Sequence, residues 1–426
     1  MKLEGAFSIL KSLRTKRSLI NGAMFSLFSF INKGFSFVLL MILANYITPT
    51  EYGYLSLWGT VVMVIGYFIS MSSDGYMEVS YFQEGESGIT KTFSCVLCTT
   101  LITGLIFAIL LFTVGDFISE KLDLPLYSLY IALLISFFTI FTNMNLNLFR
   151  IKEKVKFYGI FSCSNALLNF IISIVLVKYL LMGWPGRVYA QLFCFCLFGI
   201  IGIAIFVRRK HLKLPDVAHW KKMLIWGVPL IPHLATDFIR QGCDRYIING
   251  FHSIEQVGLF SFALNLATII TMVGIGFNQS NSVDIYKILG DKSLDNKTKN
   301  IRLKKQRNII RWVYVVTAFS VMIICYFAVP IIFPTYSLAK GYVPLLSIYA
   351  LFLCFYFLYT NYLFYYSKTK MIMFVTVGSS LIHLALSYTF TRYSLYFTCL
   401  VYCISQFIVF IVIRQLAVRE LKKQLA

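Results

Sequence analysis

The sequence predicts an all-α polytopic membrane protein with twelve transmembrane helices in two six-helix halves. Three observations carry this. Of 426 residues, 58% are hydrophobic and only 13% are charged, whereas a soluble domain carries about 25% charge. Mean hydropathy is +0.74. Apolar runs long enough to cross a bilayer, about 20 residues each, recur twelve times, at 18–47, 53–71, 92–114, 126–149, 158–180, 188–207, 223–247, 257–282, 312–333, 342–365, 371–389 and 393–413. The first run comes after Lys11, Arg14, Lys16 and Arg17 but is far longer than a signal-peptide core, and it has no small-residue cleavage pattern behind it, so it reads as retained.

Charge placement orients the chain. Of the 39 Lys and Arg, 31 fall on the side that holds both termini, 7 fall on the other (Lys121, Lys178, Arg187, Arg240, Arg245, Lys340 and Arg392), and Lys33 alone sits near the middle of a span. Basic residues stay on the cytoplasmic side, so both termini are expected in the cytoplasm. The net charge of +21 then expresses topology and implies no nucleic-acid partner. Segment 72–91 fits poorly, with Asp74, Glu78, Glu84 and Glu86 against a single Lys91.

The halves divide as 1–207, a basic cytoplasmic linker at 208–222, and 223–426 with a basic tail. A faint repeat relates them. Glu51-Tyr52-Gly53-Tyr54-Leu55-Ser56-Leu57 and Gln256-Val257-Gly258-Leu259-Phe260-Ser261-Phe262 share a Gly and a Ser at an offset of 205, each at the outer turn between the first two helices of its half. Parallel repeats of transporters place their copies this way.

Several chemistries are disfavoured. The ten cysteines all lie within spans. Cys95-x-x-Cys98 has no His or acidic companion and reads as packing rather than a metal or redox site. The longest outer loop, after the third span, is about a dozen residues, too short for the folded outer loop that a glycan-building enzyme needs. No nucleotide-binding, zinc-protease or serine-hydrolase motif occurs. No enzyme activity, cofactor or metal is expected, and the chemistry must lie between helices.

Polar groups inside spans are therefore informative, because a charge in hydrocarbon costs about 2.5 kcal/mol or more unless it faces a cavity or a partner. On an ideal helix, His233, Asp237, Arg240, Gln241, Asp244 and Arg245 of the seventh span share a 140° arc. They form either a cavity-facing stripe or intrahelical pairs such as Asp237 with Arg240 and Arg240 with Asp244. Pro229 and Pro232 must interrupt the ladder at the start of this helix and make it a kink and a hinge candidate. In the first span Gly22, Ser26, Ser29, Lys33 and Ser36 form a small hydrophilic face. Lys33 has no acid one turn away, so it snorkels, pairs with another helix or meets an anion. Ser261, Asn265 and Thr268, and Thr376, Ser380, His383 and Ser387, repeat the pattern on spans eight and eleven, where hydrogen bonding between helices is the commoner use. Asn145, Asn147, Asn165, Asn169 and Asn361 are no more specific.

Leu43-Ala44-Asn45-Tyr46-Ile47-Thr48-Pro49-Thr50-Glu51-Tyr52-Gly53-Tyr54 resembles a stretch typical of MOP-superfamily polysaccharide flippases, the Wzx-type O-antigen transporters. Trp226-Gly227-Val228-Pro229-Leu230-Ile231-Pro232 is similar to that family's opening of helix seven. Asp244-Arg245-Tyr246-Ile247-Ile248, Val257-Gly258-Leu259-Phe260 and Gly183-Trp184-Pro185-Gly186 are similar to further family motifs, in matching order. Asn45 stands where the family usually has Arg, and no Arg lies near Tyr81, which leaves Lys33 as the main cation of the first half.

The resemblance implies two pseudo-symmetric lobes around a central cationic cavity in the cytoplasmic (inner) membrane of a bacterium. It implies alternating access on an undecaprenyl-pyrophosphate-linked oligosaccharide for lipopolysaccharide or a related polysaccharide. Lys33, Arg240, Arg245, Gln241 and Asn265 are then substrate-binding candidates. Asp237, Asp244 and His383 are candidates for proton or sodium coupling. Membrane lipids and a polysaccharide polymerase are the expected partners. The alternative is a MATE-type drug or metabolite exporter of the same superfamily, which would want acidic ion sites in the first half.

Overall fold

The computed structural model describes the backbone of residues 2–425 and the side chains of 21–424 except those at 22, 23, 233, 237 and 241. Among the described residues there is no strand. The helices are α1 (Lys2–Leu43), α2 (Pro49–Ile69), α3 (Tyr76–Glu84), α4 (Glu86–Leu122), α5 (Leu126–Ile151), α6 (Val155–Ile174, extended by a π-turn to Tyr179), α7 (Gly183–Arg208), α8 (Val217–Gly227), α9 (Ile231–Asp237), α10 (Cys243–Phe251), α11 (Ile254–Gly290), α12 (Asn296–Ile332), α13 (Val343–Tyr365), α14 (Thr369–Phe390) and α15 (Leu395–Leu425).

Among the described residues, eleven helices are long and apolar enough to cross a membrane. Eleven of the twelve expected spans are among them. The seventh, expected as one helix over 223–247, is instead a chain of short pieces: the end of α8, a 3-10 turn at Val228–Leu230, α9, a π-turn at Phe238–Gly242, and α10. Pro229 and Pro232 cannot donate to the ladder, which accounts for the first break. The π-turn adds the second. The C-terminal end of α4 also differs from expectation. The helix runs on to Leu122, so only residues 123–125 separate it from α5, with Asp123 taking a left-handed conformation at φ 55° to close the turn.

Outward faces of the long helices are apolar, as a lipid-facing surface requires. On α4, Leu105, Ile106, Ile109 and Phe112 are all exposed, Phe112 at 84%.

Two compact units can be distinguished: residues 1–47 with 58–234, and residues 48–57 with 235–426. The first turns of α2 thus group with the second unit, and the division falls within the broken segment rather than at the basic linker.

In the first unit the acidic segment finds its partners. Glu78 on α3 pairs with Arg150, and Glu86 at the start of α4 lies 2.9 Å from Lys152. Glu84 lies 2.8 Å from Lys91, which holds its carboxyl below the usual range. Two of the acids that looked misplaced, Glu78 and Glu86, thus neutralise the basic loop after α5. Surface pairs of this kind are screened by solvent and contribute little to stability, so they fix register instead.

The basic linker is stitched to α4. Ser94 Oγ accepts from the Lys213 backbone N–H at 3.0 Å, and Trp220 Nε1 donates to Thr99 Oγ1 at 2.8 Å. Asp216 caps α8 by accepting from Ala218 and His219 N–H, and these bonds hold its carboxyl below the usual range. His211 Nδ1 lies 2.8 Å from Thr90 Oγ1, and His219 Nε2 lies 2.9 Å from Thr92 Oγ1. Burial holds both imidazoles below the usual histidine pKa. A depressed folded pKa means that the attachment is fully stabilised above the unfolded value of about 6.5 and weakens as pH falls through and below it. Amide hydrogen exchange across 211–222 should therefore accelerate between pH 7.5 and pH 5.5 once intrinsic rates are divided out. Unchanged protection would show that the two histidines do not hold this segment.

In the second unit the repeat noticed in the sequence becomes a contact. Thr48 and Glu51 form a reciprocal capping box at the start of α2: Thr48 N–H donates to Glu51 Oε2 at 2.9 Å, and Glu51 N–H donates to Thr48 Oγ1 at 3.2 Å. Pro49 occupies the first helical position, where a missing N–H costs nothing. At an offset of 205, Ser253 caps α11 by accepting from Gln256 N–H at 3.3 Å. The repeat is therefore T/S-x-x-E/Q-x-G-x-x-S, two residues richer than its identical positions.

The copies also touch each other. A Cβ on Gly53 would sit 2.1 Å from the carbonyl oxygen of Ile254, and one on Gly258 would sit 1.7 Å from that of Pro49. Pro49 and Ile254 are equivalent positions of the two copies, so the contacts are related by a local pseudo-twofold. Ser56 Oγ donates to Ser261 Oγ at 2.7 Å across the same crossing. Small residues let two helix backbones approach, which is how helices associate where lipid removes the hydrophobic drive.

Candidate functional site

The strongest concentration of polar chemistry lies in the second unit, where the broken segment meets α2, α14 and α15. The π-turn at Phe238–Gly242 shifts the register of the residues after it, so the arc expected of an ideal helix is not presented to one place. Arg240 donates to the side-chain oxygen of Gln406 on α15. Asp244 turns to α14, where His383 Nε2 lies 2.8 Å from its Oδ2 and Ser387 Oγ donates to its Oδ1. Arg245 Nε donates to Ser56 Oγ on α2, and the neighbouring Tyr246 hydroxyl donates to the Leu57 carbonyl at 3.2 Å.

Burial sharpens the picture. Asp244 is fully buried, and His383 and Gln406 are 2% and 0% exposed. His383 is held on its other side, with Nδ1 at 2.9 Å from Ser405 Oγ, and its ring stacks edge-on against Tyr402 at 4.9 Å. From Asp244 a chain of hydroxyls continues through Ser387 to Thr391 and Thr398, with steps of 3.3 and 3.0 Å. His252 Nε2 lies 2.6 Å from the Thr391 carbonyl. A carboxylate, an imidazole and three hydroxyls in contact make a chain that can hold or pass a proton.

Arg240 is held differently. Its side chain is partly buried, its partner is a neutral amide, and no carboxylate pairs with it among the described residues. Arg240 and Asp244 form no intrahelical pair. Asn265 on α11 donates to the Tyr52 hydroxyl at 2.6 Å and ties α11 to α2 beside the Ser56–Ser261 contact. The side chains of His233, Asp237 and Gln241 lie outside the described residues, so the expectations for Asp237 and Gln241 rest on sequence.

Lys33 belongs to the first unit. It is exposed on α1 and pairs with no carboxylate among the described residues. Its neighbours Asn32 and Ser36 line a cavity inside that unit, together with Asn165, Asn169 and Arg187. Sequence reasoning placed Arg187 with the outer-side charges. The structure buries it, and only the run of Asn residues on α6 hinted at a polar interior there. Gln406, the partner of Arg240, also escaped notice, because a lone Gln in an apolar run carries no periodic signal.

A profile described as polysaccharide biosynthesis protein matches residues 18–282. The chain belongs to that family. Among curated relatives, Lsg locus putative protein 1 of Haemophilus influenzae is 22% identical over 374 residues, covering 84% of this chain and 87% of the relative. Among solved structures, an inward-facing multidrug resistance MATE family transporter of the MOP superfamily superposes with a TM-score of 0.73 at 12% identity, covering 96% of this chain and 98% of that one. A MOP superfamily transporter from Pyrococcus furiosus, described as having a binding pocket of reverse polarity, gives 0.64 at 12% identity over 94% and 95%. At such identities the likeness establishes fold: the family member has the two-lobed, all-helical architecture of MOP transporters, as the sequence resemblance implied.

Proposed function

We propose that the protein is a flippase that carries undecaprenyl-pyrophosphate-linked oligosaccharide from the cytoplasmic to the outer leaflet of a bacterial cytoplasmic membrane by alternating access. Its termini would be cytoplasmic and a polysaccharide polymerase would take up its product. The observation that carries the reading is Arg240, a guanidinium held by the neutral Gln406 amide and by no described carboxylate. A partly buried cation whose described partner is neutral is costly unless another group supplies the charge. Guanidinium groups match phosphate oxygens in geometry as well as charge.

Family membership supports a polysaccharide intermediate as the source of that anion. The inside-negative potential favours outward movement of negative charge by about 2.3 kcal/mol per charge per 100 mV, so transport needs no nucleotide. Return of the emptied, positively charged site is the opposed step. The Asp244–His383 pair supports a proton as the ion that eases it, since uptake of a proton by one conformation and release by the other is coupling by differential affinity. Lys33, the main cation of the first half, is a further substrate-binding candidate.

The test is restoration of surface polysaccharide in a flippase-deficient strain that carries the wild-type or altered gene. Arg240→Ala and Lys33→Ala should lose at least ten-fold of the export with normal amounts of membrane protein, and Arg240→Lys should retain part of it. Arg392→Ala, whose guanidinium lies over the exposed Tyr393 ring, should export normally. Full export by Arg240→Ala would overturn the role given to that cation. Resistance to organic cations without polysaccharide export would favour the exporter reading.

A further inference from the structure

The first unit contains a cavity of about 210 Å³ between α1, α5, α6 and α7. Its walls are unusual for a membrane helix bundle, because Asn32 and Ser36 from α1, Asn165 and Asn169 from α6, and Arg187 and Gln191 from α7 all line it. Arg187 is 7% exposed. It donates from Nη1 to the side-chain oxygen of Asn169, and to Ser173 Oγ at 2.8 Å. Both acceptors are neutral and both bonds leave one nitrogen of a group with five donors. No carboxylate pairs with Arg187 among the described residues. Two acceptors on the opposite walls are also unserved: the side-chain oxygens of Asn32 and Asn165 are buried without a hydrogen-bond partner.

A buried cation and two orphaned amide oxygens are each expensive. Together they describe a complementary ligand: one anionic group for the guanidinium and hydroxyls for the amides. The cavity is several times the roughly 30 Å³ that a water occupies in the liquid, so it suits a single small ring rather than a drug-sized molecule. We propose that this cavity is a binding site for a monosaccharide that bears an oxyanion, carboxylate or phosphate, with Arg187 on the anion and Asn32 and Asn165 on ring hydroxyls. It is separate from the Arg240–Asp244–His383 cluster, which belongs to the second unit. Only the origin of the sugar, a residue of the transported glycan, rests on the flippase reading; the binding chemistry does not.

The experiment is calorimetric titration of the purified full-length protein in lipid nanodiscs with glucuronate, glucose 1-phosphate, glucose and inorganic pyrophosphate. Glucuronate or glucose 1-phosphate should bind at least ten-fold more tightly than glucose and than pyrophosphate, and whichever binds better identifies the anion. Arg187→Gln should weaken that binding at least ten-fold, Arg187→Lys should restore part of it, and Arg392→Gln, on the exposed Tyr393 ring, should leave it unchanged. If Arg187→Gln does not fold, Asn165→Ala carries the test, with the same direction and a smaller loss. Absence of acidic-sugar binding by the wild type, pyrophosphate as the only ligand, or equal binding by Arg187→Gln would overturn the site. Failure of the flippase reading would show itself differently, as no polysaccharide export by a wild-type protein whose isotherm is intact.

Discussion

Gly258→Leu should leave little folded protein in the membrane, while Gly276→Leu on the same helix should be tolerated. The contrast comes from the surroundings of each glycine. At Gly258 even a Cβ would lie 1.7 Å from the Pro49 carbonyl oxygen and 3.0 Å from the Gly53 nitrogen, whereas at Gly276 it meets nothing within 4 Å. Overpacking costs about 1–3 kcal/mol where side chains can move. Here the obstacle is backbone, so no rotamer relieves it, and separating α2 from α11 also breaks the Ser56–Ser261 and Asn265–Tyr52 bonds. Against a net stability of about 5–15 kcal/mol, that loss is expected to show as aggregated material on size-exclusion chromatography and a collapsed thermal transition. A Gly258→Leu protein that melts with the wild type would mean that the crossing is not close.

His383→Leu should destabilise the protein by about 3–5 kcal/mol, the usual cost of leaving a buried charge without its partner. Asp244 would retain Ser387 but lose the imidazole at 2.8 Å. Asp244→Asn keeps the shape, can still bond His383 and Ser387, and should fold. The double variant should lose less than the sum of the two single losses, because the two groups interact directly. Function separates the variants further. If the pair carries the coupling proton, Asp244→Asn should flatten the dependence of export on external pH while its thermal transition stays within a few degrees of wild type. Retention of a wild-type pH profile in that variant would assign the pair to structure alone.

Much of the architecture was legible because membrane helices are specified by composition over about 20 residues, a signal that needs no knowledge of partners. Eleven spans and the kink at Pro229 and Pro232 come from such local rules. The π-turn at Phe238–Gly242 has no equivalent local signature, so the ideal-helix arc misdirected Arg240, Asp244 and Arg245 to a common face. Their partners lie 166, 139 and 189 positions away in sequence, and nothing in a single sequence reports a pairing at that distance. The repeat shows the opposite case. Its Gly and Ser were visible at an offset of 205, but the capping residues Thr48, Glu51, Ser253 and Gln256 became equivalent only once both helix starts were seen to use them alike. The burial of Arg187 went unread for another reason. A basic residue at a span end is usually snorkelling to the surface, and only packing reveals that this one turns inward among amides.

On the proposed flippase function, Arg240 serves a passenger whose charge is phosphate. Reconstitution of the purified protein into liposomes loaded with fluorescent undecaprenyl-pyrophosphate oligosaccharide measures this most directly, with leaflet exchange tracked by quenching from outside. Exchange should run at least ten-fold above protein-free vesicles, accelerate under a membrane potential negative on the donor side, and fall to background with Arg240→Ala. Exchange at the protein-free rate by folded wild-type protein, or exchange indifferent to both the potential and Arg240, would contradict it.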